Sequence, residues 1–294
     1  MKRLLVLLVF ACPLFAQRNP ADYERYLLPV VLGVPVPGAF GSQWTTTFRI
    51  ANDGPETLDV FPLTRDCLTS SFCYQLMRPA PAFQANQPGV HNSPYQLAPF
   101  GTPPGATGRF LYVEHAKADQ LSVRLAVSDV SRTPPASTQL PVVPESRFFD
   151  ATRNILGVPF DEGTRVALRV YTADERADPR VTVRIYETVA HLVNAPPFIE
   201  GQALLAEGTF AFTHDDADDR CGFADCPPGA LRYVPSTIVI GNLLDVFPQL
   251  AHVPTSQPYG LRVQIEPATP GLRYWPLVTV TRDRDSMVSV FTAR

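Results

Sequence analysis

The chain has 294 residues and a formal net charge of −3, so no basic surplus exists to neutralise phosphates and electrostatically driven nucleic-acid binding is excluded. A hydrophobic fraction of 45% excludes a disordered chain. The 31 prolines, about twice the usual ~5%, exclude long helices, because proline fixes φ and removes a backbone donor.

The N-terminus reads as a secretory signal peptide over residues 1–16. Lys2 and Arg3 precede a short apolar run at 4–10, Pro13 breaks it, and Leu14-Phe15-Ala16 offers a cleavage site before Gln17. Val9-Phe10-Ala11-Cys12 is a competing weak lipobox, which would place a lipid anchor on Cys12. No other stretch reaches the ~18 apolar residues of a transmembrane helix. The expected address is therefore periplasmic or extracellular, with a lipoprotein as the alternative.

From residue 44 onwards strand signals dominate. Trp44, Thr46, Phe48 and Ile50 alternate with Thr45, Thr47 and Arg49, the period-two pattern of a half-buried strand. Asn52-Asp53-Gly54 follows as a turn, and residues 57–61 read as the returning strand. Residues 68–108 form a long proline-rich stretch with few strand signals. Its aromatics Phe72, Tyr74, Phe83, Tyr95 and Phe100 are a candidate binding surface, against the plainer reading of a packed loop. Leu121, Val123, Leu125 and Val127 then alternate with polar and small residues. A proline-rich segment from Pro134 leads to an expected boundary at 141–146, giving a first domain over 17–145 and a second over 146–294.

The second half repeats the pattern. Val166, Leu168 and Val170, then Val181, Val183 and Ile185, then Leu261, Val263 and Ile265 each alternate with polar partners. Residues 276–281 and 288–292 read as closing strands. Such polar outer faces predict antiparallel sheets with one side wet. The one helix candidate spans 242–249, with Asn242 as cap and Pro248 as stop. Leu32-Gly33-Val34-Pro35 recurs as Leu156-Gly157-Val158-Pro159, with a similar order of strands after each copy, which points to an internal duplication.

A strand ending in Asn-x-Gly before a second strand resembles the opening hairpin of Ig-like β-sandwich modules in secreted and surface proteins of bacteria. The resemblance covers about 20 residues per half; the Cys…Trp…Cys spacing of antibody-type domains is missing, since Trp44 precedes both cysteines of its half. It implies an all-β chain of two tandem antiparallel sandwiches. It also implies a non-enzymatic exported protein that presents loops for binding, with a protein or glycan of the cell envelope as partner. A structural module of a surface complex and a secreted hydrolase with a spatially assembled site are the competing classes.

Motifs for chemistry are scarce. The chain contains no G-x-S-x-G, H-E-x-x-H, P-loop or G-x-G-x-x-G, and His91, His115, His191, His214 and His252 are scattered. Asp215, Asp216, Asp218, Asp219 and Asp225 crowd beside two cysteines, a candidate calcium loop without EF-hand spacing; the plainer reading is a solvated acidic loop. No other cofactor is expected.

Apart from Cys12, four cysteines remain, and close spacing favours the pairs Cys67–Cys73 and Cys221–Cys226 over a zinc site. Each bridge would close a loop shorter than the 15 residues for which chain entropy gives ~3 kcal/mol, so each should pin a loop rather than hold a core together. Non-reducing peptide mapping should recover those two pairs, and reduction should leave the sheets folded. A bond from Cys67 to Cys221 or Cys226 would contradict the assignment.

Overall fold

A computed structural model describes residues 22–32, 35–54, 58–61, 83–85, 89–92, 107–174, 176–188, 203–214, 234–253, 259–283 and 287–293. Residues 1–16, Cys12 among them, and Cys67, Cys73, Cys221 and Cys226, expected to pair, lie outside the described residues.

The chain is mostly antiparallel sheet. Its strands are β1 (Tyr23–Val31), β2 (Val36–Pro37), β3 (Gln43–Asn52), β4 (Leu58–Phe61), β5 (Phe83–Ala85), β6 (Gly89–Asn92), β7 (Thr107–Glu114), β8 (Leu121–Asp129), β9 (Ala136–Leu140) and β10 (Val143–Pro144). There follow β11 (Arg153–Phe160), β12 (Thr164–Thr172), β13 (Arg180–Thr188), β14 (Leu204–Ala211), β15 (Ser236–Ile240), β16 (Tyr259–Pro267), β17 (Tyr274–Arg282) and β18 (Val288–Thr292). Sheet I has the order β10-β1-β7-β4-β5. Sheet II has β2-β3-β8-β9, with β6 on the same edge of β3 as β2. Sheet III has β15-β12-β17-β18 and sheet IV has β11-β16-β13-β14.

Residues up to 144 supply sheets I and II, and residues from 153 onwards supply sheets III and IV. The pairings recur in the same order: β1-β7-β4-β5 corresponds to β11-β16-β13-β14, and β6-β3-β8-β9 to β15-β12-β17-β18. The first strand of each half also carries a bulge, between Leu28 and Val31 in β1 and between Ile155 and Val158 in β11. In β11 the bulge holds Gly157 at φ 67°, a left-handed conformation that any Cβ would strain.

The turn after β3 forms as expected, with the Gly54 N–H donating to Asn52 Oδ1 at 2.9 Å. The expected hairpin does not. Both edges of β3 are filled, by β8 on one side and by β2 and β6 on the other, so β4 crosses to sheet I and pairs with β7 and β5. The second half repeats this: β12 lies between β15 and β17, and β13 joins sheet IV. The chain therefore passes from one sheet to the other at β3–β4 and again at β12–β13 instead of turning back in a hairpin. The short helix α1 (Leu243–Val246) matches its sequence signal. The Asn242 side chain caps Leu244 N, and a 3-10 turn begins at Pro248.

Three apolar layers hold four sheets in the order II–I–III–IV. Leu28, Leu111 and Val113 of sheet I meet Leu125, Val127 and Leu140 of sheet II. Val166, Leu168, Val170 and Val278 of sheet III meet Ile155, Val183, Ile185 and Val263 of sheet IV. Between them, the opposite faces of sheets I and III pack together through Leu27, Phe110 and Tyr112 on one side and Tyr171, Trp275 and Leu277 on the other. This corrects the expectation of one wet face per sheet. It holds for sheet IV, whose outer face carries Arg184 paired with Glu207 and Glu266, but β1 and β7 of sheet I and the Tyr171 end of sheet III are covered on both sides.

Polar contacts fasten the central layer. The buried Tyr171 hydroxyl donates to Pro29 O, Thr138 Oγ1 donates to Val288 O at 2.8 Å, and Arg273 Nη2 donates to Glu145 O at 2.7 Å. Phe149 and Tyr274 exchange both backbone hydrogen bonds at 2.8 Å. Gly108 lies at a close approach within this layer: a Cβ there would come 2.8 Å from both Pro235 Cγ and Tyr171 Cε1.

Gly108→Ala should therefore destabilise the protein by about 1–3 kcal/mol, the usual cost of overpacking, because the Tyr171 ring is held on every side. A thermal melt unchanged within a degree would contradict that contact. Asp129 offers a second test. It is fully buried; Oδ1 accepts from Gln43 N and Ser131 N at 3.0 Å each and from Ser131 Oγ at 2.6 Å, and Arg132 Nε lies 3.2 Å from Oδ2. Burial alone would raise its pKa, but the Ser131 and Gln43 hydrogen bonds and the Arg132 charge outweigh it and hold the carboxyl below its usual value. Its stabilisation is thus present above the unfolded pKa near ~4 and is lost as pH falls through the lower folded value. Asp129→Asn should cost about 1–3 kcal/mol at pH 7, with the gap to wild type closing in denaturant titrations below about pH 4.

Candidate functional site

The central layer does not cover the whole outer face of sheet III. That face alternates along β12 as Arg165, Ala167, Arg169 and Tyr171, opposite Thr281, Thr279, Leu277 and Trp275 of β17. Tyr171, Trp275 and Leu277 are buried under sheet I. The Arg165 end lies beyond that cover and forms the floor of a cleft of about 260 Å³. Its floor is Arg165, Ala167, Arg169, Thr279, Thr281 and Val288. Its apolar wall comes from the first half: Val30 and Leu32 at the end of β1, Val36 and Trp44 from β2 and β3, and Val127 and Leu140 from β8 and β9.

Local structure explains how the wall is held. Thr46 faces inward on β3, and its hydroxyl bridges the sheets by accepting from Leu32 N at 3.0 Å and donating to Val30 O at 3.3 Å. Trp44 Nε1 donates to Ser42 Oγ at 2.6 Å, and Ser42 Oγ donates to Ala39 O at 2.6 Å, which fixes the indole beside the turn at 39–41. Within that turn Phe40 is 49% exposed and adopts φ 56°, ψ 34°. A bulky residue in the left-handed region is uncommon and strained.

The charges in the cleft are of one sign: among the lining residues two are arginines and none is acidic. Arg165 is anchored, with Nε donating to Gly241 O at 2.9 Å. Arg169 is not anchored in the same way; its Nε is buried without a hydrogen-bond partner. Arg153 and Arg262 also have a buried Nε without a partner, but their guanidinium groups lie over the rings of Phe149 and Tyr186 at 4.7 and 4.0 Å. Arg169 adjoins Tyr171, whose phenol is pushed up in pKa by burial while the Arg169 charge opposes the shift.

The residues singled out from sequence do not converge. Phe83 opens β5, opposite Val60, while Phe72, Tyr74, Tyr95 and Phe100 lie outside the described residues. So do Cys67, Cys73, Cys221 and Cys226, and Asp215, Asp216, Asp218, Asp219 and Asp225. Among the described residues no group of three or more His, Cys, Asp or Glu is placed to hold a metal. His214 Nδ1 lies 3.4 Å from Ser236 Oγ, long for a nucleophile–base pair, and Ser236 is buried at the start of β15 beside the Thr213–Thr237 bridge. That placement gives the pair a linking role between β14 and β15. No helix among the described residues is long and apolar enough to cross a membrane.

Arg165 and Arg169 escaped the sequence reading because charged residues at alternate strand positions signal a solvated face. Only the docking of the first half turns that face into a cleft floor.

Replacing Arg169 by Met removes a buried donor without a partner while keeping the aliphatic bulk, so Arg169→Met should raise stability by about 1 kcal/mol. A urea titration showing a loss of 1 kcal/mol or more would mean that the guanidinium stabilises the fold.

Three comparisons bear on relationship. No family model matches the chain, no curated protein matches it, and no solved structure matches it.

Proposed function

We propose that this is an exported, non-enzymatic binding protein, built from paired β-sandwiches that are Ig-like in the broad sense of two packed antiparallel sheets, and acting at the cell envelope. The observation that carries this reading is the cleft: a concave apolar wall on one half meets a cationic floor on the other. Small-molecule sites commonly have this form, a mostly apolar recess with a few polar groups that set orientation. The buried Nε of Arg169 adds to it, since groups kept at a cost to stability tend to mark functional positions. The signal-peptide pattern at residues 1–16 supports export. The alternative of a secreted hydrolase draws on the His214–Ser236 contact, and burial of Ser236 counts against it.

Cosedimentation of the purified mature protein with isolated cell envelopes tests the proposal. Wild type should sediment with the envelopes, and Ala167→Phe, which fills the cleft from its floor, should reduce the bound fraction at least fivefold with an unchanged melting temperature. Equal retention of the two proteins would remove the cleft from the reading. Hydrolytic turnover abolished by Ser236→Ala would replace binding by catalysis.

A further inference from the structure

The cleft also specifies what it takes, an inference that rests on the binding reading above. We infer that it receives a small organic carboxylate: an anionic head held at Arg169 and a compact apolar body lying against Trp44 and the aliphatic wall.

Charge comes first. Arg165 and Arg169 project from the same face of β12, four residues apart, with only Ala167 between them. No acidic residue lines the cleft, so the floor offers its positive charge to an incoming anion. Arg165 already donates through Nε to Gly241 O, which fixes it at the edge of the floor. Arg169 has a buried Nε with no partner. No protein acceptor therefore holds the Arg169 guanidinium through Nε, and a carboxylate is the acceptor whose planar fork matches a guanidinium through two parallel hydrogen bonds. The hydroxyls of Thr279 and Thr281 stand beside the arginines on the neighbouring strand and add neutral donors to the same floor.

Shape gives the rest of the ligand. The wall opposite the arginines is aliphatic apart from the Trp44 indole, so it favours a body without polar groups. A volume of about 260 Å³ suits a small molecule and is too small for a polypeptide segment with its backbone. Phosphate esters fit less well, because their polar body would lie against Val30, Leu32 and Leu140 without hydrogen-bond partners.

Hexanoate, hexanamide and hexylamine are the probes. Titration calorimetry on the mature protein gives affinities, and tryptophan fluorescence reports location, because Trp44 lines the cleft and the chain has only one other tryptophan, Trp275. Hexanoate should bind at least tenfold more tightly than hexanamide, hexylamine should not bind, and the hexanoate affinity should fall as salt is raised. Arg169→Gln should weaken hexanoate at least tenfold and leave hexanamide unchanged within twofold; Arg169→Lys, which keeps the charge but not the fork, should fall between. If hexanoate and hexanamide bind alike, or if Arg169→Gln binds hexanoate as wild type does, the carboxylate inference is wrong while a binding cleft stands. If no probe binds, the carboxylate inference is again wrong, and the envelope experiment with Ala167→Phe decides the binding reading separately.

Discussion

The structure depends on the apolar contact between the outer faces of sheets I and III. Phe110 and Tyr112 from β7 and Leu27 from β1 lie against Tyr171, Trp275 and Leu277, and all of them are at least 96% buried. Full burial of a large apolar side chain is worth about 2 kcal/mol relative to exposure. Six such residues in one layer bind the halves far more firmly than the polar contacts at its rim. Tyr171 unites the two kinds of interaction: its ring stacks on Trp275 at 6.3 Å and its hydroxyl reaches Pro29 O across the layer. With that layer in place, two sandwiches become one four-sheet stack, and Gly108 is confined to glycine by the closeness of the fit.

The cleft follows from where this contact ends. Sheet I covers the Tyr171 end of the sheet III face and not the Arg165 end, so the first half overhangs two arginines and two threonines. The wall of the cleft is the open end of the first sandwich's own core, since Val30, Leu32, Val127 and Leu140 belong to both. Binding and stability are thus coupled at one place. The Thr46 bridge and the Ser42–Trp44 contact keep the wall in position without a ligand, the pre-organisation that binding requires.

Much of the fold was legible in the sequence, for identifiable reasons. Alternation in residues 121–127, 166–170, 181–185 and 261–265 marked strands that are present, because a half-buried strand leaves a period of two. Asn242 capped the helix as its side chain required. The order of pairing was not legible: Asn52-Asp53-Gly54 signalled a turn, and a local signal cannot say whether the next strand turns back or crosses to another sheet. The buried central layer left a trace of a different kind. Leu27-Leu28-Pro29-Val30-Val31-Leu32, Phe110-Leu111-Tyr112-Val113 and Tyr274-Trp275-Pro276-Leu277-Val278 are continuous apolar runs, the signature of strands covered on both faces. The candidate site was least legible of all, because Arg165 and Arg169 gain meaning only from a wall supplied by the other half of the chain, at Val30 to Trp44 and at Val127 and Leu140.

The layer between sheets I and III makes the two halves one cooperative unit. Equilibrium urea unfolding, followed on the same samples by far-UV circular dichroism and by tryptophan fluorescence, tests it most directly. Trp44 reports on the first sandwich and Trp275 on the central layer, while circular dichroism reports on all four sheets. Both signals should show a single transition with coincident midpoints. Two separated transitions, with one half unfolding while the other keeps its sheet signal, would contradict it.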